Sequence, residues 1–319
     1  MTTEPIHSSD TLIARAIEIA KAGRKARVAV AAAQDADVIG AMSQSEAEGF
    51  LSGTLVGDKS MIEKLAAEHK IPIDRLEVID EKNVNAAAHH AARLASEGKA
   101  DAIMKGFLPT SSLLKVVLDK QYSLRGKNTL SHCAVLDIPG YHKLLNFTDG
   151  GMVVKPDVEQ KFQILENAVL VGRALGLSPV KVALSAPSDR LSEKVPHTLS
   201  DMDTILPMAL EKLSDVVVQG PLSLDMATSK KAVEYQHVGG VVAGDADIYL
   251  VDSIEEGNIV SKALIQFAGA IFAGVIVGAK VPVSLVSRTD TVLNKKASLA
   301  LACLVADYYK QNNIFGGRG

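Results

Sequence analysis

In the first third of the chain, short apolar runs alternate with amphipathic stretches, and that rhythm leaves few folds open. Runs at 26–32 (ARVAVAA), 51–56, 76–79 and 101–106 (DAIMKG) read as strands. Stretches near 10–19, 35–48, 58–69 and 84–96 carry the helical period, with Asp10 as a first cap and Gly23 as a stop. Strands separated by whole helices predict a parallel sheet covered on both faces, an α/β fold.

The middle departs from this rhythm. Three strand-like runs, 129–139, 142–147 and 150–156, are separated by turns at Pro139-Gly140 and Asp149-Gly150. They predict an antiparallel or mixed portion and a crossing into a second domain. The rhythm then resumes with a helix over 157–175, strands over 180–185 and 215–219, a helix over 224–235 and a strand over 247–251. A helix over 258–267, a strand over 281–286 and a long apolar helix over 291–311 complete the chain. The uncharged run 263–279 is shorter than the ~20 residues that span a bilayer, so it reads as a helix end plus a strand.

Charge and cysteine content narrow the function. A formal net charge of -3 over 319 residues gives no basic footprint for nucleic acid. Cys133 and Cys303 lie far apart without metal-site spacing, and the N-terminus lacks a signal pattern, so a soluble cytoplasmic protein is expected.

Four turns between 239 and 291 are polar and flank predicted strands, as expected of a site for a phosphate-bearing ligand. Ser287-Arg288 falls between an apolar strand and a long helix. Helix-start N–H groups, a hydroxyl and a guanidinium there suit an anion, although an ordinary loop with a solvent-facing arginine has the same sequence. Lys105-Gly106, with Thr110 opening the next helix, makes a second anion-friendly start but lacks P-loop spacing. Gly244-Asp245-Ala246-Asp247 reads as a turn ordered by Asp245 more readily than as a magnesium site, and no metal is expected. Asn258 reads as a helix cap with Lys262 one turn inside, and His132 as a core or rim histidine.

These turns together resemble the phosphate acetyltransferase and phosphate butyryltransferase family, more the butyryl-type branch. The resemblance is carried by Met104-Lys105-Gly106 with Thr110, Leu130-Ser131-His132, Ile138 to Tyr141, Thr148-Asp149 and Glu159-Gln160-Lys161. Further on it is carried by Lys181 to Ser185, Gly220-Pro221-Leu222, Val242 to Asp247, Glu256 to Ile259 with Lys262, and Ser287-Arg288 with Asp290. It implies two α/β domains of isocitrate/isopropylmalate dehydrogenase-like type with mainly parallel sheets and a cleft, one of residues 1–139 plus 277–319 and the other of 140–276. It also implies transfer of a short-chain acyl group between coenzyme A and phosphate by a homodimer or higher homo-oligomer, with no tightly bound cofactor and no membrane or nucleic-acid partner. Ser287, Arg288, Asp290 and Asn294 would form the chemical centre. Lys105, Gly106, Thr110, Ser131, His132, Gly244, Asp245, Asn258 and Lys262 would contact CoA or substrate.

The chain departs from the acetyl-type pattern. Asn294 stands where that branch has an aspartate base, Gln266 where it has an arginine, and Lys115 where an arginine is expected. The base is therefore unassigned, with Asp290 a candidate that is equally a helix cap. Two alternatives stand beside the transferase: a related NAD-dependent decarboxylating dehydrogenase, and a CoA-binding subunit without catalysis.

Overall fold

The computed structural model describes residues 4–191 and 193–316. In chain order the elements begin with α1 (Ser9–Ile19), β1 (Ala26–Ala31), α2 (Ala36–Ala47), β2 (Leu51–Gly57) and α3 (Lys59–Glu68). Next come β3 (Glu77–Asp80), α4 (Val84–Ser96), β4 (Ala102–Lys105), α5 (Thr110–Val117), β5 (Ser131–Asp137), β6 (Leu145–Thr148) and α6 (Val158–Ala174). Then follow β7 (Val180–Ser185), α7 (Pro196–Ser200), α8 (Leu206–Lys212), β8 (Val216–Leu222), α9 (Leu224–Thr228) and α10 (Lys230–Gln236). The last are β9 (Ile248–Leu250), α11 (Ile254–Ala268), β10 (Ile271–Val277), β11 (Val283–Ser284) and α12 (Val292–Gln311). The chain divides into two compact units, Ser9–Lys127 with Ala273–Gly319, and Met1–Ser8 with Asn128–Phe272.

In the first unit the strand order is β3-β2-β1-β4-β11-β10. All neighbours run parallel except β10, which is antiparallel to β11. The chain walks outward from β1 to β3 and then places β4 on the other side of β1. The helices that follow β1 and β4 therefore depart in opposite directions, leaving a crevice at the carboxyl ends of these two strands. Asp35, Asp58 and Asn83 cap α2, α3 and α4 by accepting N–H bonds of 3.0–3.1 Å from Val38, Met61, Asn85 and Ala86. Helix α12 packs against α1, α2 and strands β1, β4 and β11. Its residues from Ala297 to Ala306 are at most 4% exposed, so it is the centre of this unit's core.

In the second unit the order is β5-β6-β9-β7-β8, parallel except for the antiparallel β5/β6 pair. Its core is built on Leu145, Phe147, Leu222 and Tyr249. Asp157 and Gln160 form a reciprocal capping box at the start of α6.

Local structure differs from the sequence reading at several points. Residues 150–156 form no strand: the Asp149 carboxylate accepts the N–H groups of Gly151 (2.7 Å), Met152 (2.9 Å) and Val153 (3.2 Å) and winds them into a turn. The stretch 196–212, not expected to be helical, carries α7 and α8 with a widened turn over Asp201–Ile205 between them. The expected helix over 224–235 is broken at Ser229, whose extended backbone and hydroxyl start α10. Helix α11 starts four residues before Asn258, capped by Ser253, whose hydroxyl accepts from Glu256 N at 3.3 Å. Of the three candidate caps for α12 that the sequence offers, Thr289, Asp290 and Thr291, it is Thr291 that caps the helix. The predicted strand over 281–286 pairs only at Val283 and Ser284. Among the described residues no helix is long and apolar enough to cross a membrane.

Candidate functional site

The crevice of the first unit collects three cations. Lys105 ends β4, in register with Ala31 of β1, and is 7% exposed. Its ammonium donates at 3.3 Å to the carbonyls of Gly106 and Leu108. Gly106 lies so close to β1 that a Cβ would stand 2.1 Å from the Ala32 carbonyl oxygen, so only glycine fits the turn that aims Lys105. Burial lowers the Lys105 pKa, and the charges of Arg288 and Lys295 lower it further against the opposing pull of Asp35 and Asp290. Thr110 is half-buried at the head of α5.

Ser287 and Arg288 lie exposed between β11 and α12. The loop is held by the Asp290 carboxylate, which accepts Ser287 N–H at 2.5 Å, and by a 3.1 Å contact between the hydroxyls of Ser287 and Thr289. Arg288 lies over the exposed Phe107 ring, 4.9 Å from its centroid, which orients the guanidinium while leaving its N–H groups for an anion. Asp290 therefore works as a loop staple. Asn294 is buried in the first turn of α12, its N–H on the Thr291 hydroxyl and its carbonyl accepting from Ser298.

Lys295 is the residue the sequence reading passed over. It is 1% exposed, donates to the main-chain carbonyl of Asp290, and stands 3.6 Å from Asp37. A buried ammonium is costly unless its charge is used, and here it lies within electrostatic reach of Lys105. The signal was a lysine opening a helix whose following residues are almost all apolar, which leaves its side chain no route to solvent.

The second unit brings a different set together at the carboxyl edge of β6. His132 lies beside the Phe272 ring (centroids 6.0 Å apart) and against Gly151, where a Cβ would stand 3.0 Å from the imidazole. Gly150 packs on Gly257 so tightly that a Cβ would come within 2.7 Å of the Gly257 carbonyl carbon. Asn258 donates from its amide to Gly150 O at 3.1 Å. Lys262 is exposed one turn further along α11. Ser131 is fully buried and accepts from Asn167 at 2.9 Å, which ties its hydroxyl into the core. Burial pushes the Asp149 carboxyl up to about 6 although four backbone N–H groups, including that of His132, pull the other way.

Gly244 and Asp245 lie at the opposite, amino edge of these strands and are not brought to Asn258 or His132. Asp245 is bound by Lys181, by His142 at 2.7 Å and by Lys143 at 3.0 Å, while Lys143 also meets Asp247 at 2.6 Å. Against the pull of burial, the bonds from Lys181, Lys143 and His142 hold the Asp245 carboxyl well below the usual carboxylate range. Burial raises both thiols, that of Cys133 to about 12, so neither suits nucleophilic work.

Both ring nitrogens of His132 lie buried and have no hydrogen-bond partner among the described residues, and burial lowers its pKa to about 4. Because this folded value is below the unfolded one near 6.5, the unfolded chain binds the proton better at intermediate pH. The neutral-histidine contribution is intact above about pH 6.5 and is lost as pH falls towards 4, roughly 3 kcal/mol in all. Urea unfolding at pH 7 and pH 4.5 should show wild type losing more stability than His132→Phe. Equal losses would refute this account of His132.

A mostly parallel sheet with Lys105 and Arg288 at and beyond the carboxyl ends of its strands defines an α/β protein with its candidate site at the switch point, where such folds hold phosphate-like anions. The chain belongs to the phosphate acetyl/butyryl transferase family, whose model matches residues 81–303, and is a phosphate acyltransferase. It is 38% identical to the phosphate butyryltransferase of Clostridium acetobutylicum over 88% of this chain and 93% of that protein. It is 33% identical to the phosphate acetyltransferase of Rhizobium meliloti over 92% of each. A branched-chain phosphotransacylase from Enterococcus faecalis has a similar structure, with TM-score 0.78, 30% identity, and coverage of 88% of this chain and 99% of that one.

Proposed function

We propose that the chain catalyses acyl-CoA + phosphate ⇌ acyl phosphate + CoA with a short acyl group, acetyl or butyryl. A phosphate oxygen attacks the thioester carbonyl carbon and forms a C–O bond, giving a tetrahedral oxyanion; its collapse breaks the C–S bond, and the CoA sulfur leaves as thiolate and then takes a proton. The observation that carries this reading is the convergence of Lys105, Arg288 and Lys295 at the switch point of the first unit. Three cations there hold a phosphate dianion and stabilise the oxyanion of the tetrahedral intermediate. Arg288, propped on Phe107, supplies the forked grip, and Ser287 adds a hydroxyl. Asn258, Lys262 and His132 serve the CoA portion. Gly244 and Asp245 hold the amino edge of their sheet, and Asp290 holds its loop and is not the base. The two-domain, dehydrogenase-like cleft expected for residues 1–139 plus 277–319 and 140–276, homodimeric assembly and action in the cytoplasm belong to the same proposal.

Phosphate-dependent CoA release measured with acetyl-, propionyl- and butyryl-CoA tests it. Turnover that saturates in both phosphate and acyl-CoA is expected. Saturable CoA binding with no thiol release would instead favour a binding subunit without catalysis.

A further inference from the structure

Acyl transfer moves a proton as well as an acyl group. When acyl phosphate is turned into acyl-CoA, the CoA thiol must give up its proton, because the thiolate and not the thiol is the nucleophile. The amide of Asn294 takes no proton. Asp290 holds its own loop through the Ser287 N–H, and Asp35 caps α2 by accepting the Val38 N–H at 3.0 Å. Carboxylates are also a poor match for the task. An ordinary carboxyl of about 4 takes a proton from a thiol of about 8.5 only against roughly four powers of ten in equilibrium.

Lys105 is placed for this step. It ends β4, whose neighbours β1 and β11 run parallel to it, so the turn that carries Arg288 leaves the sheet at the same edge. Its nitrogen lies 3.3 Å from each of the carbonyl oxygens of Gly106 and Leu108. A neutral amine has two N–H bonds and a lone pair; the two carbonyls accept the N–H bonds, and the lone pair takes the remaining direction. The surroundings disfavour the ammonium. Lys105 is 7% exposed, and no ion pair of it is found among the described residues, whereas Lys295 has the Asp37 carboxylate at 3.6 Å. Burial does most to lower the Lys105 pKa, Arg288 and Lys295 act in the same direction, and Asp35 and Asp290 oppose them. The ammonium is thereby brought closer in acidity to a thiol, so a proton passes readily between the two. Arg288, by contrast, keeps its proton at any working pH.

We propose that Lys105 carries the reacting proton between the CoA thiol and the phosphate, a role that rests on the acyltransferase reading above. As acyl-CoA forms, the amine takes the S–H proton, the sulfur pair attacks the acyl carbon and the C–S bond is made. Collapse of the oxyanion breaks the C–O bond, and the Lys105 ammonium gives its proton to the departing oxygen, so that phosphate leaves as the hydrogen phosphate dianion. The opposite direction runs the same steps backwards. Lys105 is therefore the third cation at the tetrahedral intermediate both ways.

The test follows thioester formation from CoA with acetyl phosphate or butyryl phosphate. Lys105→Ala, shown by its melting curve to be folded, is expected to lose about two to four powers of ten in kcat/KM. Roughly 50 mM methylamine should restore at least about tenfold, and more as pH rises, while guanidinium at the same concentration, a permanent cation, should restore less than about twofold. Lys105→Arg, which keeps the charge, should stay as slow as Lys105→Ala. Equal rescue by guanidinium, a near-wild-type rate in Lys105→Arg, or a loss below about tenfold in Lys105→Ala would each overturn the proposal. If Lys105→Ala does not fold, the carbon-13 signals of the lysine Cε atoms in the wild-type chain decide. A signal that is missing in Lys105→Arg and titrates below about 10.4 supports the proposal, and its titration at the ordinary value overturns it. A wild-type chain with no turnover of either substrate would instead overturn the acyltransferase reading itself.

Discussion

Arg288→Ala is expected to lower phosphate-dependent CoA release by roughly two to four powers of ten, an effect of about 3–5 kcal/mol on the transition state. Arg288 is exposed, stacks on Phe107 and belongs to a loop held by Asp290, so its removal empties no core and breaks no cap. The melting temperature should therefore stay close to that of wild type while turnover collapses. Arg288→Lys should recover only part of the loss, because an ammonium does not reproduce the forked, stackable guanidinium. A near-wild-type rate in the alanine variant would remove Arg288 from the chemical centre.

Lys295→Met is expected to separate activity from stability in a different way. Lys295 is buried, and its ammonium has only the Asp290 carbonyl and, at 3.6 Å, Asp37 as partners among the hydrogen bonds and ion pairs described. Methionine of similar length fills the space without a buried charge, so stability should be unchanged or higher. Losing the third cation should raise the KM for phosphate and lower kcat, together about a hundredfold or more in kcat/KM. Lys295→Arg, which keeps the charge, should retain more activity than the methionine variant even if it is less stable. If activity instead follows melting temperature across the two variants, Lys295 is only a structural residue.

The legible parts of this protein are those governed by local rules. The helices near 35–48, 58–69, 84–96 and 157–175 were visible because an apolar stripe at the helical period shows in any local window, and each proves to start on a short polar side chain, Asp35, Asp58, Asn83 or Asp157, that satisfies the first free N–H groups. The buried strands 26–31 and 102–105 were visible because parallel strands covered on both faces must be apolar throughout. The errors arose where a distant or side-chain contact outweighs local preference. GGMVV has the composition of a strand, yet one carboxylate, Asp149, gathers its N–H groups into a turn. Asn258 has the composition of a cap, yet Gly257 must enter the helix to pack on Gly150, and the cap moves back to Ser253.

The candidate site divides along the same line. The sequence by itself determined an α/β chain, two candidate anion-binding turns at Lys105-Gly106 and Ser287-Arg288, and the family to which those turns point. Only the tertiary structure decided which candidates share a site. It brought Arg288 and Lys295 within electrostatic reach of Lys105, held Ser131 in the core, and sent Gly244 and Asp245 to the far edge of their sheet. The physical reason is that capping and hydrophobic periodicity act within one turn or one strand. The free energy of a buried charge depends on what the fold brings within a few ångströms of it, and no local pattern encodes that neighbourhood.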